Sequence, residues 1–364
     1  MSVRPGTIAP PSDGFFYDMP YDEYRALDAW NISLLKYCRR TMERVRAECL
    51  DPTPIGADTE FKGKLFHVTL LEPEKEKALY AVEPKTYPLI GKTDGAVGSI
   101  SKGGKVYCYG AGRGANREEW EIAPVWDDDA MAYVTRDPLP DGVELIESSW
   151  NALATYCKAW KAEQGSKEVV KAPVLDAARK RAARIRELPD AQKLFDGAQF
   201  EVSIVWTDPQ TGLRCKGRLD LYNESLNHAI GDGKSTQNPA DYENFARTMR
   251  RYHYCEQAAF YRDGVNILLA KDGREVPQMG TFTWLVSEDA KPFTPAVYTI
   301  MDTGYEGSGP YFVHGRCGYH GWLQQVAHAL KNDFWPGLNP GPGGLTEDRE
   351  LPPMDFWALD GMEN

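Results

Sequence analysis

Apolar and polar residues alternate most regularly in the middle of the chain. Residues 200–206 and 213–221 place apolar side chains at every second position, and 229–234 form a shorter extended piece. Three successive strands are therefore predicted. Two more are predicted at 280–286 and 297–301. Elsewhere the apolar spacing follows the helical repeat, over residues 21–50, 148–163, 173–195, about 241–261 and about 318–331. A further helix is expected to start near Asp58, a good capping residue, and must stop before Pro73. Residues 51–56, with two prolines and a glycine, break the first helical region. Residues 84–145 are rich in Gly, Pro and polar side chains, with short strand-like pieces such as 106–109, and give no firm assignment. Residues 335–344 read as loop, and no internal repeat is present. Helices, then three strands, a helix and another strand predict an α/β (α+β) class: a mixed central β-sheet flanked by helices.

The second strand carries the first candidate chemistry. Leu213, Cys215, Gly217, Leu219 and Leu221 fall on one face; Arg214, Lys216, Arg218 and Asp220 fall on the other. A half-exposed strand with internal charge balance has the same pattern. The third strand sharpens it, because Ile230, Asp232 and Lys234 share a face in an apolar, glycine-rich segment. A carboxylate and an ammonium there are costly to bury. A structural ion pair accounts for them, and so does a site for a hard divalent cation, which takes carboxylate oxygens. The short connection allows a hairpin in which Asp220 and Asp232 converge on one ion. Lys234 then stands near an attacking water, and Gly233 leaves its carbonyl accessible.

Composition narrows the class. Lys and Arg number 42 and Asp and Glu 53, a net charge of −11 with 42% apolar residues, which fits a packed globular protein and not a disordered one. No run of about 18 apolar residues suggests a membrane span. The first 14 residues lack the apolar stretch of a secretory signal and read as a flexible polar arm. Seven scattered cysteines without a CxxC pair exclude the usual zinc-ribbon and iron–sulfur spacings and read as reduced thiols of a cytoplasmic protein. The acidic balance argues weakly against nucleic acid, but basic clusters exist: five cations in 179–186 and three in 247–251. Each is also compatible with a solvated helix face.

Asp220, followed after eleven residues by Asp232-Gly233-Lys234, resembles the D…(D/E)XK signature of the PD-(D/E)XK nuclease superfamily. Gly63-Lys-Leu-Phe-His67 resembles the GxxxH element of its RecB-like branch, and Gln257-Ala-Ala-Phe-Tyr261 its QxxxY helix. With residues 31–36, 71–74, 188–191, 201–206 and 334–353, these segments look like the C-terminal nuclease domain of the RecE-type exodeoxyribonucleases (exodeoxyribonuclease VIII) of phages and prophages. The resemblance runs from about 15 to 357 and is weakest at 85–150, where 91–117 is longer and richer in glycine than the usual connector. Arg39-Arg-Thr41 also departs from the expected Ser-Pro, leaving the path of the N-terminal helix open.

The resemblance implies a single elaborated domain over 15–357, with 85–150 as an insertion-like segment and 336–364 as a loop-rich tail. It implies Mg²⁺ (with Mn²⁺ as a substitute) held by His67, Asp220, Asp232 and the Gly233 carbonyl, with Lys234 orienting the water. Gly63 would let the sheet approach the imidazole. Glu201 is either a second acid or an ordinary exposed strand glutamate. Gln257 and Tyr261 would position the DNA strand. Arg214, Lys216 and Arg218 are candidate phosphate contacts because they share the face of Asp220. The implied activity is degradation of double-stranded DNA from its 5′ ends in a bacterial host cell, by a homo-oligomeric ring working beside a single-strand annealing protein. A non-catalytic DNA-end-binding protein and an endonuclease on the same core are the alternatives. Residues 90–93 lack the leading glycine of a P-loop, and 110–114 lack Rossmann spacing. His314, His320 and His328 show no zinc spacing.

Overall fold

The computed structural model describes residues 3–337, except 55, 93–96, 101–104, 109–117, 122–123, 128–131, 136–138, 140–142 and 304–308. The expectations for 110–114, for the tail from 338 and for most of 91–117 lie outside the described residues. The chain forms two compact units, residues 1–71 with 180–364, and residues 72–179.

The first unit begins with β1 (Gly14–Phe16), α1 (Tyr21–Ala26), α2 (Ile32–Leu35), a 3₁₀ turn (Lys36–Arg39), α3 (Met42–Leu50) and α4 (Ala57–Leu71). Asn31 caps α2 and Thr41 caps α3 through side-chain oxygens that accept from Leu34 N and Arg44 N. From Val3 on, the residues expected to form a flexible arm are tied down. Thr7 and Ile8 donate their amides to Ala26 O, and Val3 is buried. Gly6 lies so close to Leu27 O that a Cβ would stand 2.2 Å from it.

The second unit holds α5 (Glu76–Leu79), β2 (Tyr80–Glu83), β3 (Thr86–Lys92), β4 (Val97–Ile100), β5 (Lys105–Cys108), β6 (Glu118–Glu121), β7 (Pro124–Asp127), β8 (Ala132–Thr135), β9 (Val143–Ser149), α6 (Thr155–Glu163) and β10 (Glu168–Lys171). The expected helix at 148–163 is therefore shorter, because residues up to Ser149 extend β9. Strands β6-β5-β4-β3-β9 form an antiparallel sheet, β7 pairs with β8, and β10 pairs with β2 in parallel.

Helix α7 (Ala172–Arg186) starts in the second unit and ends in the first. Then follow α8 (Pro189–Phe195), β11 (Gln199–Thr207), β12 (Arg214–Asn223), β13 (Ala229–Thr236), α9 (Tyr242–Tyr252), α10 (Tyr254–Lys271), β14 (Gly280–Glu288), β15 (Pro295–Asp302) and α11 (Pro310–Asn332). These strands and β1 build a six-stranded sheet in the order β1-β11-β12-β13-β14-β15. Every pair is antiparallel except β13 with β14, which needs the α9–α10 crossover. The mixed sheet flanked by helices is thus the one predicted. The expected helix from 241 to 261 is two helices, broken at His253 with φ 60° and ψ 45°. Helix α11 starts earlier than expected, with Pro310 in its first turn.

Apolar clusters hold this sheet, and two of them flank the strands of the site. In one, Trp206, Leu219 and Trp284 pack with Phe260 and Val265 of α10 and Leu323 of α11. In the other, Phe66 and Leu70 of α4 pack with Ala182, Ile185, Leu194, Leu221 and Leu285. Burying Phe66 and Leu70 stabilises the docking of α4 by about 1.5–3 kcal/mol each. Gly233 makes this docking close: a Cβ there would lie 3.2 Å from Leu70 Cδ2.

Candidate metal centre

The β12–β13 ladder runs through Asn223↔Ala229, Tyr222↔Ile230 and Leu221↔Gly231, then stops. The next positions are Asp220 and Asp232. In place of a ladder bond, Gly233 N donates to Asp220 Oδ2 at 2.8 Å. On its other side Asp220 faces Glu201, because the flanking pairs are Phe200↔Leu221 and Val202↔Leu219. Glu201 itself has φ 54°, the left-handed region, inside a strand. Such strain costs on the order of 1–3 kcal/mol and persists where surrounding structure imposes it.

His67, between Phe66 and Leu70 on α4, reaches both acids. Its Nδ1 lies 3.7 Å from Asp220 Oδ2 and 3.8 Å from Glu201 Oε1. His67, Glu201 and Asp220 each offer a ligand atom, all within 4.8 Å of one another. Glu201 is therefore a member of the cluster and not an ordinary exposed strand glutamate. Arg218 fixes its other oxygen, donating from Nε to Oε2 at 2.6 Å.

The set differs from His67, Asp220 and Asp232 converging together. Asp232 is held elsewhere: Gln257 Nε2 donates to its Oδ1 at 2.9 Å, and Lys234 Nζ lies 2.5 Å from its Oδ2. That Oδ2 is buried and, among the described residues, outside hydrogen-bond geometry with any partner. Gly233 meets Asp220 through its amide. Gly63 plays no steric part, since a Cβ there would meet nothing within 4 Å.

The charges are mutually dependent. Burial opposes a charged His67, but Asp220 and Glu201 outweigh it and raise the imidazole to about 9. Burial raises Asp220 to about 7, helped by the nearby carboxylates and opposed by His67. Burial disfavours ionised Glu201 as well, yet His67 and Arg218 hold it below the usual carboxylate range. Burial also opposes the Lys234 ammonium, and Asp232 more than compensates. Two acids crowded beside an imidazole, one of them held well above the usual carboxylate range by burial, form a set that a divalent cation would relieve. A hard cation takes carboxylate oxygens, and the imidazole suits the transition metals that can replace it.

The other expected site residues have different tasks. Lys216 is buried and its ammonium is spent on the carbonyls of Tyr24, Arg25 and Leu27, at 3.1, 3.0 and 2.7 Å. It holds the end of α1 and is not open to a phosphate. Arg214 is engaged by Asp13, Thr207 and Pro11 O, about 20 Å along the strand from Asp220. Arg218 is committed to Glu201, Ser203 Oγ and Met19 O. Gln257 orients Asp232, and the Tyr261 ring is buried over Gly217, where a Cβ would stand 3.0 Å from it. Sequence reasoning passed over Lys36 and Tyr254. The Lys36 and Lys234 ammonium groups lie 5.9 and 4.9 Å from the Tyr254 ring.

Residues 144–337 match the family described as "PDDEXK-like domain of unknown function (DUF3799)". The match spans Glu201, Asp220, Asp232, Lys234, Gln257 and Tyr261; His67 lies before it. The sequence matches no curated protein. Among solved structures, the chain is similar to a candidate exonuclease from Eubacterium rectale, with 17% identity, 56% of this chain and 73% of that chain covered, and a TM-score of 0.34. A second similar structure is SSO0001, with 15% identity, 44% and 62% covered, and a TM-score of 0.24. Among the described residues, no helix is long and apolar enough to cross a membrane.

Proposed function

The chain belongs to the family of PDDEXK-like domains of unknown function (DUF3799), and from that premise we propose that it is a Mg²⁺-dependent deoxyribonuclease. The observation that carries the reading is the His67–Glu201–Asp220 cluster beside the Asp232–Lys234 pair. The proposed mode is exonucleolytic, on linear double-stranded DNA from the 5′ end, with Mn²⁺ as a substitute. A ring-shaped homo-oligomer and transfer of the 3′ strand to an annealing protein complete the proposal. These parts rest on the resemblance to the RecE-type exodeoxyribonucleases, carried by the motifs at 63–67, 220–234 and 257–261.

Mg²⁺ would be held by His67, Glu201 and Asp220, supplying charge neutralisation at a phosphate and acidification of water. The protein's own groups prepare for it. Arg218 keeps Glu201 ionised and aimed, and the Gly233 amide fixes one Asp220 oxygen. Gln257 and Lys234 hold Asp232 from two sides. The Lys234 ammonium stays protonated and offers a fixed positive charge to an oxyanion leaving a phosphodiester.

The test is cleavage of an end-labelled linear duplex with Mg²⁺ or with EDTA, beside closed circular DNA. Metal-dependent shortening of the linear duplex alone supports the reading. Binding without shortening, or efficient cutting of the closed circle, contradicts it.

A further inference from the structure

The break between α9 and α10 builds a second feature next to the site. His253 takes the left-handed conformation without being glycine or asparagine. The turn lets Tyr252 and Tyr254 stack, with ring centroids 6.0 Å apart and planes at 24°. In an unbroken helix residues two apart do not face each other. Tyr252 is 50% exposed.

Cations line these rings. Lys36 joins Lys234 at Tyr254, and the Arg251 guanidinium lies 5.6 Å from the Tyr252 ring. Arg39 Nη1 reaches His253 Nε2 at 2.9 Å. Lys36 and Arg39 are three apart in a 3₁₀ turn, whose repeat sets them on one side. Among the described residues, no ion pair holds Lys36, Arg39 or Arg251. In a chain of net charge −11, these three cations outside any ion pair cluster beside stacked aromatic rings, with Glu256 against His253 as the neighbouring carboxylate. Burial and the neighbouring Lys234 lower Lys36 to about 8, against the opposing pull of Asp232 and Glu256.

We propose that Lys36, Arg39, Arg251, Tyr252 and Tyr254 form a track for single-stranded nucleic acid leading to Lys234. Bases stack against the half-exposed Tyr252 side chain, and successive phosphates meet the cations. Stacked rings interleaved with cations fit a single strand, whose base faces are free; a closed duplex presents none to them. The inference rests on the nuclease reading for its direction, toward Lys234, and on geometry alone for binding.

The test is fluorescence anisotropy in EDTA, with a labelled oligo-dT and a labelled blunt duplex as probes. Tyr252→Ala should weaken oligo-dT binding about tenfold, while Tyr252→Phe keeps wild-type affinity. Lys36→Gln should reduce the slope of log affinity against log salt by about 0.7, the loss of one single-strand phosphate contact. Blunt-duplex affinity should change less than oligo-dT affinity. Unchanged oligo-dT binding by Tyr252→Ala, or an equal loss for both probes, overturns the track. Because no metal is present, these outcomes are independent of cleavage. A Tyr252-dependent binder that never cuts DNA would sink the nuclease reading and leave the track standing.

Discussion

Glu201 stands opposite Asp220 across two hydrogen-bonded strands, and it does so with a left-handed backbone at φ 54°. The conformation interrupts the ladder at the position where two carboxylates meet His67. Removing the carboxylate by Glu201→Ala keeps the strain, whereas Glu201→Gly relieves it. Glycine normally weakens a strand by roughly 0.5–1 kcal/mol, and a left-handed non-glycine residue costs about 1–2 kcal/mol. The glycine variant should therefore melt above the alanine variant by a degree or two, and neither should cleave DNA. Differential scanning calorimetry of the pair checks this; an alanine variant that melts higher contradicts the strain.

Two glycines should respond in opposite directions. At Gly217 an added Cβ would lie 3.0 Å from the Tyr261 ring and 3.2 Å from Ile204. Gly217→Ala should cost roughly 1–3 kcal/mol by overpacking. Gly63 sits inside α4 with open space around it, so Gly63→Ala should gain roughly 0.5–1 kcal/mol with cleavage retained. Urea unfolding of both variants gives the comparison.

The sequence made part of this visible. Alternation over 200–206 and 213–221 located β11 and β12, and the short connection put Asp220 beside Asp232. The face of Lys216 was also correct, but alternation says nothing of the carbonyls at 24–27 that cover it. The left-handed turns at Glu201 and His253 carry no glycine or proline to betray them. Gln257 was singled out by resemblance to the QxxxY helix as a DNA-positioning residue, and its bond to Asp232 was not foreseen. Residues 84–145 stayed opaque because short strands rich in glycine and polar residues lack a clear period.

Gln257 gives Asp232 Oδ1 its partner. Gln257→Leu leaves that buried oxygen unpaired and should cost roughly 1–3 kcal/mol. Cleavage should fall through kcat, since Asp232 would lose its orientation. Thermal melting with single-turnover kinetics separates the two effects; an unchanged melting temperature and rate would show that the bond matters little.

In the metal-free protein both His67 and Asp220 hold protons more tightly than in the unfolded chain, with pKa about 9 against 6.5 and about 7 against 3.8. Raised folded-state values give stability that is full below the unfolded pKa and is lost as pH rises through the folded one. Metal-free stability from these groups should fall between about pH 4 and 7 through Asp220 and between about 6.5 and 9 through His67. Asp220→Asn should remove the first decline. Ligation needs neutral His67, so Mn²⁺ binding near pH 7.5 should release a proton, and affinity should rise toward pH 9. Calorimetry in buffers of different ionisation enthalpy measures that release; binding heats independent of buffer contradict it.

The central claim is that one divalent cation sits among His67, Glu201 and Asp220. Anomalous diffraction from a crystal soaked in Mn²⁺ tests it directly. The account predicts a single strong peak at bonding distance from His67 Nδ1, a Glu201 oxygen and Asp220 Oδ2, lost in Asp220→Asn. A peak bound to other groups, or none at millimolar Mn²⁺, contradicts it.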